Sequence, residues 1–226
     1  MSRKELKKRA KELIRPHMSI LSFITLLFLL CNLAIGSESS NIISTICFSL
    51  LLSFISIMMD KTTLQIAKGI QPRFKELPND IVGPAIKVIV FDIIIYGISF
   101  IIAFAISMIF AININEQTLI NDNSLLSSLV LLTMGVYLLI MVIRMFFLFI
   151  PYIAIEEPQL SIIETFKKSF TMVKENLKQL ILFELSFLGW LFAIICTCGI
   201  AIFYVLPYKA QAETLFYKQI KNGQLI

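Results

Sequence analysis

The chain has 226 residues, 58% hydrophobic and only 15% charged, with a formal net charge of +5 and a mean hydropathy of +0.85. Whole windows carry no charge, and a soluble domain interleaves charge to cover its surface, so a soluble fold is excluded. The basic residues flank apolar runs, which reads as positive-inside threading of a membrane and not as a nucleic-acid surface.

Backbone polar groups inside lipid must be bonded within their own segment or barrel. The apolar runs lack the strict alternation of barrel strands, so the sequence predicts an all-α membrane protein. In chain order, residues 1–16 come first. Ser2 and Glu5 fit a capping box, Leu6, Ala10 and Leu13 fall at helical spacing, and Arg3, Lys4, Lys7, Lys8, Arg9, Lys11 and Arg15 fill the other faces. This predicts a basic amphipathic helix at an anionic inner leaflet, apolar side down. A first span over 18–35 follows. It is longer than the apolar region of a signal peptide, so it is expected to be retained.

A polar turn around Glu38 leads into a second span over 41–59, closed by Asp60-Lys61. Thr62 and Gln65 form a second, weaker capping box, interrupted by Gly69 and Pro72. That segment opens an interfacial helix or continues span two. Span three covers 85–112. The connection to span four (125–155) contains Glu116 and Asp122 and no Lys or Arg, which assigns it to the outside. Ser161 and Glu164 start a third basic helix over 161–178, with Phe166, Phe170, Val173 and Leu177 as its stripe. Lys167, Lys168, Lys174 and Lys178 are its candidate lipid contacts.

The last apolar stretch is broken by Thr197-Cys198-Gly199. One tilted helix would leave Lys209, Lys218 and Lys221 outside. A tight turn would make spans of 179–196 and 199–217 and return the tail to the inside, as positive-inside threading favours. The expectation is therefore six spans in three hairpins, each preceded by a basic interfacial helix, with both termini cytoplasmic. Rows of small residues (Ser99, Ala103, Ser107, Ala111; Gly189, Ala193, Thr197; Thr45, Ser49, Ser53) are expected at close helix contacts.

Four ionisable residues fall in the inner part of the spans: Asp92, Arg144, Glu184 and Lys209. An unpaired charge there costs ~3 kcal/mol or more, so each needs a partner or a wet cavity. Two readings stand: internal salt bridges, with Arg144 on Asp92 or Glu184 and Lys209 reaching the interface, or a polar vestibule for an ion or lipid head group. Pro151-Tyr152 and Pro207-Tyr208 end spans four and six alike. The prolines are expected to kink the helices and free the carbonyls of Phe147 and Phe203. The tyrosines are expected as anchors at head-group level. With one histidine, His17, and no G-x-x-x-x-G-K loop, there is no basis for a catalytic triad, a histidine metal site or ATP use. No cofactor is expected.

Two further strings carry a resemblance. They are Glu164-Thr165-Phe166-Lys167-Lys168-Ser169 with Met172, then Leu185-Ser186-Phe187-Leu188-Gly189-Trp190, Thr197-Cys198-Gly199-Ile200, Leu206-Pro207-Tyr208 and Phe216-Tyr217; and the opening Arg3-Lys4-Glu5-Leu6-Lys7-Lys8-Arg9-Ala10-Lys11. They resemble an uncharacterised Gram-positive bacterial membrane family, domain of unknown function nine-seven-five, which implies a multi-pass plasma-membrane protein. The fold also looks distantly similar to the membrane domain of some glycerophosphodiester phosphodiesterases, whose catalytic acids and histidines this chain lacks. The resulting expectation is a non-enzymatic protein in a bacterial plasma membrane that contacts lipids of the anionic inner leaflet and serves envelope homeostasis. The alternatives are a small transporter or channel, including export of or immunity to a membrane-active peptide, and a structural partner of another membrane complex. Homo-oligomers and other membrane partners stay open.

Overall fold

The computed structural model describes residues 2–37, 42–113 and 123–223. Every regular element among them is helical: α1 (Arg3–Ile14), α2 (Met18–Ser37), α3 (Ile42–Ala67), α4 (Val82–Asn113), α5 (Asn123–Phe146), α6 (Ile150–Glu156), α7 (Ile162–Glu175), α8 (Leu177–Leu185), α9 (Leu188–Cys196) and α10 (Ile202–Lys221). Five stretches are long and apolar enough to cross a membrane: Arg3–Ala34, Ile46–Ala67, Val82–Met108, Val130–Glu156 and Leu177–Cys196. The protein is thus a helical membrane protein. Glu38, Glu116 and Asp122, expected in outer loops, lie outside the described residues.

The two strong capping boxes form. The Ser2 hydroxyl accepts from the Glu5 amide at 3.3 Å, and the Glu5 carboxylate accepts from the Ser2 amide at 2.8 Å. Ser161 and Glu164 repeat the exchange at 3.3 and 2.8 Å. These Ser2 and Ser161 hydroxyls each meet an amide that a helix start leaves unpaired. The box at Thr62 does not start a helix. α3 runs unbroken to Ala67, and the Thr62 hydroxyl donates back to the Met58 carbonyl at 2.6 Å. A threonine inside a helix has this four-residue option, so the local signal is ambiguous. Only a single 3₁₀ turn, Phe74–Glu76, occupies the loop that follows. The second interfacial helix is therefore absent, and the pattern of three identical units reduces to two.

α1 also departs from the expected placement. The backbone stays right-handed helical through Arg15–Met18, so α1 passes into α2 through one tightened turn containing Pro16. Its apolar stripe, Leu6, Ala10 and Ile14, is wholly buried against protein, chiefly α10 and the inner end of α3. Its basic face also meets protein: Lys7 donates to the Ser186 carbonyl at 2.6 Å and lies over the Phe187 ring, and Arg3 donates to Leu182. Those carbonyls border the break between α8 and α9, where helical bonding lapses. Periodicity identified the apolar face, but a protein neighbour covers it instead of lipid.

The chain turns at Thr197–Ala201, with Cys198 at φ 50° and Gly199 at φ 91°. The Gly199 amide closes the turn on the Ile194 carbonyl at 2.8 Å. Ring contacts pair Trp190 with Tyr204, Phe187 with Tyr208 and Phe183 with Phe216, so α10 returns antiparallel along α9 and α8. A single tilted helix over 179–206 is thereby ruled out. α10 then wedges between α1, α2 and α3, and the α2–α3 hairpin is the closest helix pair. A second group, α4, α6 and α7, packs against α3 and α5.

Candidate functional site

The four intramembrane charges do find partners. Arg144 on α5 meets Asp92 on α4 at 3.1 Å, with the guanidinium face also near the Tyr96 ring. Glu184 on α8 is 3.0 Å from Lys209 on α10. Asp92 and Arg144 therefore form one pair, and Glu184 and Lys209 belong to a different one. Lys209 is held within the protein by acids. It also meets Glu213 one turn along α10, again at 3.0 Å, so one ammonium serves two carboxylates.

Two members of this layer escaped the sequence reading. Asp60 is the expected closing charge of span two, but α3 continues past it, and its side chain lines the same cavity as Tyr152. Glu213 falls inside the expected last span, 199–217, and was not singled out there. The four-residue spacing of Lys209 and Glu213 was the available signal for it.

Asp60 and Glu213 form a common wall between two cavities. One, about 210 Å³, is lined by Ile24, Thr25 and Phe28 of α2, Ile55, Ser56, Met59 and Asp60 of α3, and Leu206, Lys209, Ala210 and Glu213 of α10. The other, about 280 Å³, opens towards α4, α5 and α6, where Asp92, Arg144, Phe147 and Tyr152 join Ser56, Asp60 and Glu213. Across the two, Asp60, Asp92 and Glu213 face Arg144 and Lys209. Opposed charges in a low-dielectric site can orient a polar or zwitterionic group more strongly than in water.

The two prolines behave differently, and only Pro151 departs from the expectation. Residues 147–149 form a turn, Pro151 sits in the first turn of the new helix α6, and the Phe147 carbonyl accepts from the Ile150 amide at 3.2 Å. Pro151 therefore ends α5 and starts α6 with no free acceptor there, whereas Pro207 lies inside an uninterrupted α10. The tyrosines are enclosed rather than anchored at head groups. Tyr152 is 1% exposed and stacks on Tyr217 at 5.3 Å. Tyr208 is packed among Phe187, Trp190 and Tyr204. A tyrosine beside a proline signals a span end, but here other helices cover the span ends.

The helix expected over 161–178 ends at Glu175, so Lys178 belongs to α8, and the four lysines divide. Lys168 is engaged by Glu157 at 2.6 Å. Lys167, Lys174 and Lys178 are exposed. The helix itself rests on Thr165, Ser169 and Val173, while Phe166 and Phe170 contact the rings of Phe147 and Phe146. Beneath it lies an inner clasp. Glu156 accepts from Lys68 at 2.9 Å, Lys221 at 2.7 Å and the Tyr217 hydroxyl at 3.2 Å. Glu157 adds Lys221 at 3.0 Å, and hydrogen bonds from Lys168 and Lys221 hold its carboxyl below the usual carboxylate range. The clasp ties α3, α6, α7 and α10 at one end of the bundle.

In the small-residue rows, three positions face open space. Ala103 and Ser107 are exposed, and a Cβ at Gly189 would meet nothing within 4 Å. The side chains of Thr45 and Ala111 lie outside the described ones.

The profile of the family described as "Protein of unknown function (DUF975)" matches residues 1–224. No curated protein and no solved structure matches the chain. The resemblance to the membrane domain of glycerophosphodiester phosphodiesterases thus finds no counterpart among the matches.

Proposed function

We propose, from the premise that this chain belongs to the DUF975 family, that it is a non-enzymatic, multi-pass protein of a bacterial plasma membrane that holds a lipid head group between its inner helix ends. The observation that carries this is the pair of cavities sharing Asp60 and Glu213, with Arg144 on one side and Lys209 on the other. Apolar residues line the same spaces, as an amphiphile requires. The exposed Lys167 and Lys174 of α7 and Lys178 at the start of α8 would meet the anionic inner leaflet, at ~1 kcal/mol per basic residue near the surface.

The threading that goes with this is six crossings with both ends cytoplasmic. The antiparallel return of α10 and the gathering of Lys68, Lys168, Lys218 and Lys221 at one end support it. A single cysteine at Thr197 would react with an impermeant thiol reagent on intact cells, and one at Lys68 would not. Reaction at Lys68 from outside would refute the threading.

The runner-up is a small transporter. It is favoured by the contact of the two cavities at one wall, which could form the occluded middle of a path. Extraction from native membrane followed by lipid mass spectrometry separates the two. A lipid that co-purifies near one per chain supports head-group holding. Solute flux in proteoliposomes without such a lipid supports transport.

A further inference from the structure

Charge balance inside the two cavities is uneven. Asp92 is matched by Arg144, and Lys209 is shared between Glu184 and Glu213. None of the ion pairs among the described residues includes Asp60, which shares a cavity lining with the neutral Tyr152. Three lining carboxylates, Asp60, Asp92 and Glu213, thus face two lining cations, one of which Glu184 also engages from outside the cavities. A buried carboxylate without a counter-charge is costly in a membrane, and a cationic ligand removes that cost.

The spaces are too large for a bare ion. At ~30 Å³ per water they hold roughly seven and nine waters, and together they reach the range of ~300–1,000 Å³ used for organic ligands. Their linings are also amphiphilic. Ile24, Phe28, Ile55 and Leu206 wall the first cavity away from its charges. A hydrated inorganic cation gains nothing from such a wall, whereas the carbon stem of an organic amine does. Arg144 in the second cavity offers a planar donor fork suited to a phosphate.

We infer that the shared wall of Ser56, Asp60 and Glu213 is an ammonium site, and that its ligand is a phosphate-bearing primary amine of the ethanolamine type, with the ammonium between the two carboxylates and the phosphate towards Arg144. This rests on the head-group reading above and specifies the head group. A primary ammonium has three N–H donors for Asp60, Glu213 and the Ser56 hydroxyl; a quaternary one has none. The same chemistry comes from a phospholipid or from a soluble phosphoamine, and the experiment separates them.

The full chain is reconstituted in nanodiscs with equal amounts of phosphatidylethanolamine, phosphatidylcholine and phosphatidylglycerol, and retained lipid is counted by native mass spectrometry. The expected result is at least tenfold preference for phosphatidylethanolamine. Asp60→Asn should lower it at least tenfold, and Asp60→Glu should keep most of it. Ser56→Leu fills the wall without changing charge and should abolish retention, so a poorly folding Asp60→Asn does not end the test. Equal retention of the three lipids, or retention unchanged in Ser56→Leu, overturns the site. If phosphatidylglycerol is preferred and Arg144→Gln releases it, head-group holding stands and the ammonium site falls. If no lipid is retained but soluble phosphoethanolamine binds with Asp60 dependence, the ammonium site stands and the lipid source falls. Binding of neither refutes both.

Discussion

The two ends of this bundle are built differently. At the end that carries the Glu156 clasp, Leu6, Ala10, Ile14, Phe149, Tyr152, Phe183, Phe216 and Tyr217 are all at most 1% exposed and join one cluster. Towards the opposite end of α4, α5 and α9, Phe100, Leu131, Phe192 and Ile195 are each at least 70% exposed. α4 and α5 meet at the Asp92–Arg144 pair, beside the Phe91 and Phe147 rings, and α5 also packs on α7. Apolar side chains lose little by facing lipid, so hydrophobicity alone does not draw membrane helices together. Aromatic stacking, shared hydroxyls and ion pairs do so here, and they are concentrated at one end. The Thr214 and Thr63 hydroxyls, 2.8 Å apart, and the Lys218 ammonium on the Ala67 carbonyl at 3.0 Å extend that end. Cohesion follows the polar and aromatic groups, while the opposite ends are left to the bilayer.

The largest test of this contrast is a pair of identical substitutions. Phe183 stacks on Phe216 with ring centroids 4.8 Å apart, so Phe183→Ala should cost ~3–5 kcal/mol in a reversible detergent-denaturation titration. Phe192→Ala, at 72% exposure, should change stability by less than ~0.5 kcal/mol. Equal losses would show that the opposite end is packed by contacts of its own.

Glu156→Ala comes next. Its side chain is 10% exposed and receives two lysines and a tyrosine, so truncation leaves Lys68 and Lys221 without their shared acceptor. Because both lysines reach solvent, the expected loss is ~2–3 kcal/mol, below the ~3–5 kcal/mol of a fully buried pair. Proteolysis of the detergent-solubilised chain should then begin near the C-terminal end of α10. Unchanged protection there would remove the clasp from the account of cohesion at its end.

A smaller effect is expected one layer deeper. Arg144 and Asp92 form a pair with the arginine 42% exposed, so a double-mutant cycle of Arg144→Leu and Asp92→Leu should yield a coupling of ~1–2 kcal/mol. The cycle of Arg144→Leu with Glu184→Leu should give none, since Glu184 meets Lys209. Coupling to Glu184 in place of Asp92 would contradict the helix order.

The smallest effect is in pH. Glu157 is held below the usual carboxylate range by Lys168 and Lys221. Its contribution is complete above an unfolded value of ~4.3 and disappears as pH falls from there through the lower folded value. The wild type should therefore lose stability faster than Glu157→Gln below about pH 4.3, with parallel curves above it. A slope difference near neutrality would point to another group.

The spans were legible because charge-free windows leave few other fates in water. Ser2 and Ser161 were legible as helix starts because their hydroxyls and the acids three residues on act locally. Thr62 misled because the same residue can serve a helix interior. Asp60 was hidden because an acid followed by a lysine reads as a span end, whereas α3 runs on to Ala67 and other helices close around it. The stripe of Leu6, Ala10 and Ile14 was visible as apolar, but which surface it meets depends on α10, some two hundred residues away. The cavities were not legible, because they are spaces between helices whose register no single segment encodes.

That separation between α1 and α10 has a consequence in time. At ~5–20 residues per second, the chain takes ~10–40 s to extend from the end of α1 to the end of its partner. For that interval Leu6, Ala10 and Ile14 have no protein neighbour from α10. An apolar stripe backed by lysines has a ready temporary surface in the anionic leaflet beside it. The amphipathic pattern of α1 would then serve a nascent chain waiting at the bilayer as well as the finished bundle, and a stalled chain ending before α10 should hold α1 on the lipid.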